Sequence, residues 1–358
     1  MKAFYFVAIL SLLFIFGACT DSDSTIKTGS LTPAKFELPN NNATARKGKS
    51  FRVEISIADI NNVSNIKVFT KDTVLFDGAV DKAQYFFEVN TDNLKIGTNQ
   101  ISLETTTKDG KTRNDYRIVK VLPDNIPTEY TAEVITEYPH LTTSYTQGLE
   151  FDGDQLYEGT GGKGSLGQSL LAKVDLNTGK HTQQVLLGEK YFGEGITILG
   201  DYVYQLTWKE HTCFVYDKNT LEEVKTFTYT GEGWGLTNDG EYLIMSDGSE
   251  RIYYRDPTTF AIKKTIEVYS NIGATKGLNE LEYINGKIYA NIYTTNQLVI
   301  FDALSGVVTG NIDASIIALD YRKTGEVLNG IAYKKSTQQL FITGKNWPNL
   351  LEIGLVEE

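Results

Sequence analysis

Five short motifs, spaced almost evenly, set the strongest limit on how this chain can fold. They are Thr146-Gln-Gly-Leu149, Tyr191-Phe-Gly-Glu-Gly-Ile-Thr197, Gly233-Trp-Gly-Leu236, Leu278-Asn-Glu-Leu281 and Leu328-Asn-Gly-Ile331. Each is followed by a loop tip and an apolar, strand-like run. The positions Gly148, Gly195, Gly235, Glu280 and Gly330 lie 47, 40, 45 and 50 residues apart. That is the period of four-stranded propeller blades. The motifs read as the innermost strands of five blades, and Gln147, Glu194, Trp234, Asn279 and Asn329 are expected to ring one mouth of a central channel. The glycines have two readings: bare backbone that lets a ligand approach, or close packing between inner strands.

A second marker keeps the same period. The turns at Asp175, Asp217, Asp256 and Asp302 begin segments such as Asp175-Leu-Asn-Thr-Gly179, and these Asp lie 42, 39 and 46 residues apart. Asp and Thr side chains close such turns on nearby backbone N–H groups, which is favoured here over a calcium site. The last blade is short of a strand. The segment Tyr130–Tyr138 is expected to complete it and close the ring, removing exposed edges.

Residues before the repeat read differently. Lys2, an apolar run from Ala3 to Phe16 and Gly17-Ala18-Cys19 form a signal peptide (1–18) too short to span a bilayer. It resembles a bacterial lipoprotein signal with Cys19 as the lipid anchor; an ordinary signal peptide is the alternative. The resemblance implies an envelope location, periplasmic or surface-exposed, with membrane attachment through the anchor alone. Residues 19–34 are rich in Ser, Thr and Asp and read as a flexible tether. From 35 to 123, alternating strands such as Ser50–Ile57 and Gln84–Val89 suggest a small immunoglobulin-like β-sandwich. Pro123-Asp-Asn-Ile-Pro127 marks a linker and hinge over 124–129, and the propeller is expected over 130–358. The fold class is all-β, in keeping with 21 Tyr, 17 Phe and 32 Gly.

Much chemistry is excluded at this stage. A net charge of -11 weighs against nucleic acid and anionic membrane surfaces as partners. After lipidation Cys213 is the one remaining thiol, so no internal disulfide forms. The three His (140, 181 and 211) show no ligand spacing, so no metal site is expected. No G-x-S-x-G context supports a triad. The segment Gly159–Gly164 lacks phosphate-loop spacing and reads as a hairpin tip. What remains is the carboxylate of Glu194 among aromatics, with Trp208, Trp234 and Trp347 as expected pocket walls.

In order, the motifs Y-T-Q-G-L, F-G-E-G-I-T, Q-L-T-W-K, E-G-W-G-L, L-N-E-L-E-Y, L-N-G-I-A and T-G-K-N-W-P closely resemble the plant- and bacterial-type glutaminyl-peptide cyclotransferases, which are five-bladed propellers. The resemblance covers about Tyr130 to Glu358. It implies cyclisation of N-terminal glutamine on peptides and proteins, with release of ammonia and no cofactor or metal. It makes Glu194 the proton shuttle and Lys345 the stabiliser of negative charge on the amide oxygen. Gln147 and Asn279 would hold the substrate amine and carboxamide. Tyr145, Trp208, Trp234 and Tyr293 would form the aromatic cage; the family more often has Phe at the first of these and Trp at the last. A monomer is expected, since a closed propeller needs no partner to fold. Two other classes remain: a non-catalytic propeller binding peptides or glycans at the envelope, and a propeller hydrolase with Glu232 or Asp247 as second carboxylate.

Overall fold

The computed structural model describes residues 32–162 and 167–358. The expected signal peptide, Cys19 and nearly all of the tether lie outside the described residues, as does the tip of the glycine-rich hairpin (163–166). The described chain is all-β apart from the helix Ser315–Tyr321 and a 3-10 turn at Thr91–Asn93.

Two sheets come first. One orders Ala34–Leu38, Ser50–Ile57 and Gln84–Asn90; the other orders Ala43–Arg46, Thr112–Leu122, Gly97–Thr107, Val63–Phe69 and Val74–Ala79. Side chains alternate across each strand, so Ile101, Leu103 and Thr105 point inward while their neighbours face out. Both sheets contribute to one core containing Phe36, Val53, Ile55, Ile66, Ile101 and Val119. The first strand starts at Ala34, already buried, inside the stretch expected as tether.

The segment 123–127 is not a free hinge, contrary to its Pro-rich composition. Arg46 donates to the carbonyls of Pro123 (3.1 Å) and Asn271 (2.6 Å), and Asn125 donates to Val308 (3.0 Å). The Thr98 amide donates to Glu267 (2.9 Å). Tyr269, from the repeat region, is buried in the core of the first two sheets, with Val307 packed against it. The next strand then begins at Thr128, inside the expected linker.

The repeat folds as successive antiparallel four-stranded units. The first runs Tyr145–Asp152, Gln155–Gly161, Leu170–Val174 and His181–Leu186, and the next two follow the same order. The unit beginning at Leu278–Ile284 ends with Val308–Asp313. The last runs Leu328–Lys334, Gln339–Gly344 and Asn349–Glu357, and Thr128–Pro139 supplies its outer strand. Thr128–Pro139 also runs parallel to Val308–Asp313, which joins two units into one eight-stranded sheet. The inner strands starting at Tyr145, Gly193, Leu236, Leu278 and Leu328 touch in a closed cycle. This is the radial arrangement of a β-propeller.

Composition follows position. Inner strands are covered on both faces and read as continuous buried runs, as in Gly193–Leu199. Outer strands such as Glu223–Thr228 face water and are mostly exposed. The four turn aspartates accept backbone N–H bonds, for instance Asp217 from Asn219 (2.8 Å) and Thr220 (2.9 Å).

Candidate active site

Four of the five inner strands start irregularly. Register shifts fall at Thr146/Gly148, Gly193/Ile196, Leu278/Leu281 and Leu328/Ile331, so four of the five motifs carry a bulge. A bulge turns a side chain out of the alternation. Here it frees Gln147, Glu194 and Asn279 to face the mouth of the ring, while the residue that follows packs on the next strand. A Cβ at Gly195 would stand 2.5 Å from the Leu236 amide nitrogen, and one at Gly235 would strike the Asn279 carbonyl. The glycines therefore serve packing, and the residue before each serves the site.

The cavity at this mouth measures about 190 Å³ and is lined by Tyr145, Gln147, Phe192, Glu194, Trp208, Trp234, Asn279, Tyr293 and Lys345. The eight catalytic and substrate-binding residues implied by the family resemblance meet there, on five different units, whereas Asn329 and Trp347, also expected at this mouth, do not line it. Phe192 is the addition: its ring sits edge-on to Tyr145 (6.0 Å) and Trp208 (5.9 Å). Its place two residues before Glu194 was the signal that sequence reasoning passed over. At about 30 Å³ per water the cavity holds some six waters, the scale of one amino-acid residue. A larger cleft of about 540 Å³ lies between the first sheets and the ring, lined by Lys47, Lys95, Lys264 and Glu267, without a buried carboxylate.

Two charged groups are sunk in the cavity wall. Glu194 is 4% exposed; burial drives its pKa well above the usual carboxylate range, Lys345 opposes, and Glu210 and Glu232 push further up. Lys345 is 3% exposed, and burial lowers it to about 8 against the pull of Glu194 and Glu326. Its ammonium lies over the rings of Tyr145 (4.7 Å) and Tyr293 (5.2 Å). Asn279 is 3% exposed and its Oδ1 has no partner among the described residues, a buried acceptor lining the cavity. Gln147 has its Oε1 held by Asn329 Nδ2 (3.1 Å). Asn329 thus sits behind the cavity wall and not on it.

Behind this wall lie the two carboxylates that the sequence offered only as the second acid of a hydrolase. Glu232 accepts from the indole N–H of both Trp208 (2.7 Å) and Trp234 (3.0 Å), and these bonds lower its pKa against the effect of burial. Trp234 in turn stands edge-on to Tyr293 at 5.3 Å. Asp247 is spent on Ser249 and Tyr253 and does not line the cavity. Trp347 is a correction: it is fully buried among Ile331, Ile342 and Leu351 and donates to the Glu326 carbonyl (3.0 Å), so it is core and not pocket wall.

The seam where the ring closes is pinned by a buried carboxylate. Glu158 accepts from His140 (3.0 Å), His181 (3.3 Å), Ser144 (3.0 Å) and Thr146 (2.7 Å). His140 Nδ1 faces the Trp347 carbonyl at 2.8 Å, so both ring nitrogens face acceptors and both must carry hydrogen. Burial alone would lower the His140 pKa, but the charge of Glu158 raises it. These bonds fix Tyr145 and Gln147 against the segment that carries Lys345. Two of the three His find their place here, which spacing alone does not reveal. Among the described residues no group of three His, Cys, Asp or Glu is gathered to hold a metal.

Comparison with known proteins agrees with this geometry. Residues 104–355 match the family model described as glutamine cyclotransferase. The glutaminyl-peptide cyclotransferase of Arabidopsis thaliana is 40% identical over 229 residues, 62% of this chain and 71% of that protein. The crystal structure of Myxococcus xanthus glutaminyl cyclase superposes with a TM-score of 0.61 at 35% identity, covering 65% of this chain and 99% of that one. The chain belongs to the glutamine cyclotransferase family.

Proposed function

We propose that this enzyme is a glutaminyl-peptide cyclotransferase that converts the N-terminal glutamine of peptides and proteins to pyroglutamate, with Glu194 carrying the proton. The observation that carries the reading is a carboxyl, sunk in an aromatic cavity the size of one residue and held by burial well above the usual carboxylate range, facing a buried lysine. The α-amine nitrogen of the substrate attacks its own side-chain amide carbon. Glu194 takes the proton that the amine loses and returns it to the departing nitrogen, which leaves as ammonia as the lactam closes. Lys345 stabilises the amide oxygen as negative charge gathers on it. Asn279 Oδ1, unpartnered among the described residues, accepts from a substrate N–H, and Gln147 offers its amide beside it. Tyr145, Phe192, Trp208, Trp234 and Tyr293 exclude water and fold the glutamine side chain back on its amine.

The arrangement of sheets supports a five-bladed propeller over 128–358 and an immunoglobulin-like β-sandwich over 34–122 as an accessory module. The lipoprotein-like leader supports a form anchored through Cys19 at the bacterial cell envelope, and ring closure within one chain supports a monomer. The sequence requires no cofactor for this chemistry.

The test is ammonia release together with loss of about 17 Da from a synthetic Gln-initiated peptide, comparing the chain after Cys19 with its Glu194→Gln variant, in which proton transfer is lost. Turnover by the parent and a loss of about 10²–10⁴-fold in kcat for the variant, with KM little changed, is the expected result. A folded parent without turnover would favour a binding propeller instead.

A further inference from the structure

The active-site cavity has room for one residue, so the rest of a bound peptide leaves through the mouth and its second residue lies on the rim. The acceptor left open inside, Asn279 Oδ1, is 3% exposed and unpartnered among the described residues, which draws the first residue inward of that rim. Two carboxylates stand there, each bonded to a wall residue from a loop. Glu326 accepts from the Tyr145 hydroxyl (3.1 Å), and Glu210 accepts from the Phe192 amide (3.2 Å). Glu326 is held by backbone bonds on both sides of Lys345: its amide donates to the Lys345 carbonyl (2.7 Å), and the Lys345 amide donates to Val327 (3.0 Å). Glu232 adds a third negative charge behind the indoles.

These charges are poorly compensated. Glu232 has Lys209 at 3.5 Å, and the same ammonium lies over the Trp208 ring at 3.9 Å. Glu210 and Glu326 bond only a backbone amide and a hydroxyl, and neither has an ion-pair partner among the described residues. Glu326 is exposed and Glu210 half-buried, so both are open to a chain passing the mouth. Their field reaches the site. Burial sets the direction of the shifts inside, but Glu210 also pushes Glu194 up and Glu326 pulls Lys345 back up.

We infer that Glu210 and Glu326 recognise the residue that follows the N-terminal glutamine and select peptides with Lys or Arg there over those with Asp or Glu; the inference rests on the cyclase reading. The same field draws in the free α-amine, which is largely protonated near neutral pH, with a pKa of about 7.7–8.0. Cyclisation turns that nitrogen into a neutral amide and the side-chain nitrogen leaves as ammonia. The product end therefore loses the attraction that brought the substrate, which favours its release. An exposed ion pair is worth a factor of about 1.5–5 in affinity. Two carboxylates acting on a change from an attracted to a repelled residue give roughly tenfold.

The experiment measures kcat/KM of the chain after Cys19 on C-terminally amidated Gln-Xaa-Ala-Phe peptides with Lys, Ala or Glu in the second place. The readout is the ratio between the Lys and Glu peptides within one protein, so a general loss of activity cancels. The parent is expected to favour Lys over Glu roughly tenfold at low salt, with Ala between. At 0.5 M NaCl, where the screening length is about 4 Å, the ratio should fall to about twofold. Glu210→Gln with Glu326→Gln should bring it below about twofold at low salt. A control with the same change in net charge, Glu133→Gln with Glu357→Gln on exposed outer-strand positions, should keep the parent ratio. If the rim variant fails to fold, Glu326→Gln alone should lower the ratio about threefold. Equal turnover of the three peptides by the parent would overturn the inference and leave the cyclase reading standing. A ratio kept in the rim variant, or lost in the control, would also overturn it. If the parent turns over none of the peptides, the cyclase reading fails, and Kd values for the same peptides by calorimetry decide. A preference for Lys that the rim variant loses would uphold the rim as a recognition site, and equal Kd values or no binding would overturn it.

Discussion

Glu194 and Lys345 face one cavity with proton affinities drawn toward each other by burial. The reaction needs Glu194 charged to receive the amine proton and Lys345 charged to meet the developing oxyanion. Activity should therefore rise with pH as Glu194 deprotonates and fall as Lys345 loses its proton near its pKa of about 8. In Lys345→Arg the guanidinium stays charged, so whatever activity remains should lose the alkaline limb measured in kcat/KM. A limb that does not move would remove Lys345 from the chemistry. Glu194 was legible from the glycines around it, whereas Lys345 was legible only through the family resemblance carried by Thr343-Gly-Lys-Asn-Trp-Pro348. The roles of Glu232 and Phe192 were not legible. Each depends on a side-chain contact between residues in different loops or units, which a linear pattern does not encode.

Elements carry the next layer of order. Trp208 and Trp234 come from separate loops, and Glu232 ties their indole N–H groups to one carboxylate oxygen. Glu232→Ala should loosen both walls and raise KM for a Gln-initiated peptide roughly tenfold, which corresponds to about 1.4 kcal/mol. An unchanged KM would mean that packing alone holds the indoles. At the closing seam Glu158 satisfies two imidazoles and two hydroxyls. Its removal in Glu158→Ala leaves a buried charge on His140, with an expected loss of about 3–5 kcal/mol in chemical denaturation. A loss below about 1 kcal/mol, the range of an exposed pair, would show the site to be wetter than its burial indicates. The inner strands were readable because burial on both faces enforces small and apolar residues at a fixed period. Trp347 misled for a related reason: it shares a loop with Lys345, and only the positive φ of Asn346 (61°) and the turn it makes send the indole into the core.

At the scale of the molecule, two closures decide the architecture. The first is the use of Thr128–Pro139 as the outer strand of the last unit, which ties the two ends of the ring together. The sequence showed this because the last unit was visibly one strand short. The second is the docking of the first two sheets on the ring through Tyr269, Glu267, Arg46 and Asn125. It was hidden because a Pro-flanked segment looks the same whether it swings free or is pinned from both sides. The Myxococcus relative is covered almost entirely by the part of this chain that it matches, so the ring fold stands without the first two sheets. A chain starting at Asp124 should therefore fold and keep its kcat/KM on a Gln-initiated peptide. It should also be less stable, because Tyr269 and Val307 lose their cover, and re-exposing one such side chain costs about 1.5–3 kcal/mol. Tm and turnover measured together separate the two effects. A lower Tm with full turnover makes the first two sheets a stabilising cover. Turnover that falls in proportion to the loss of cover, with the protein still folded, would mean that the docked loop at Tyr269 also sets the inner strand beginning at Leu278, and through it Asn279.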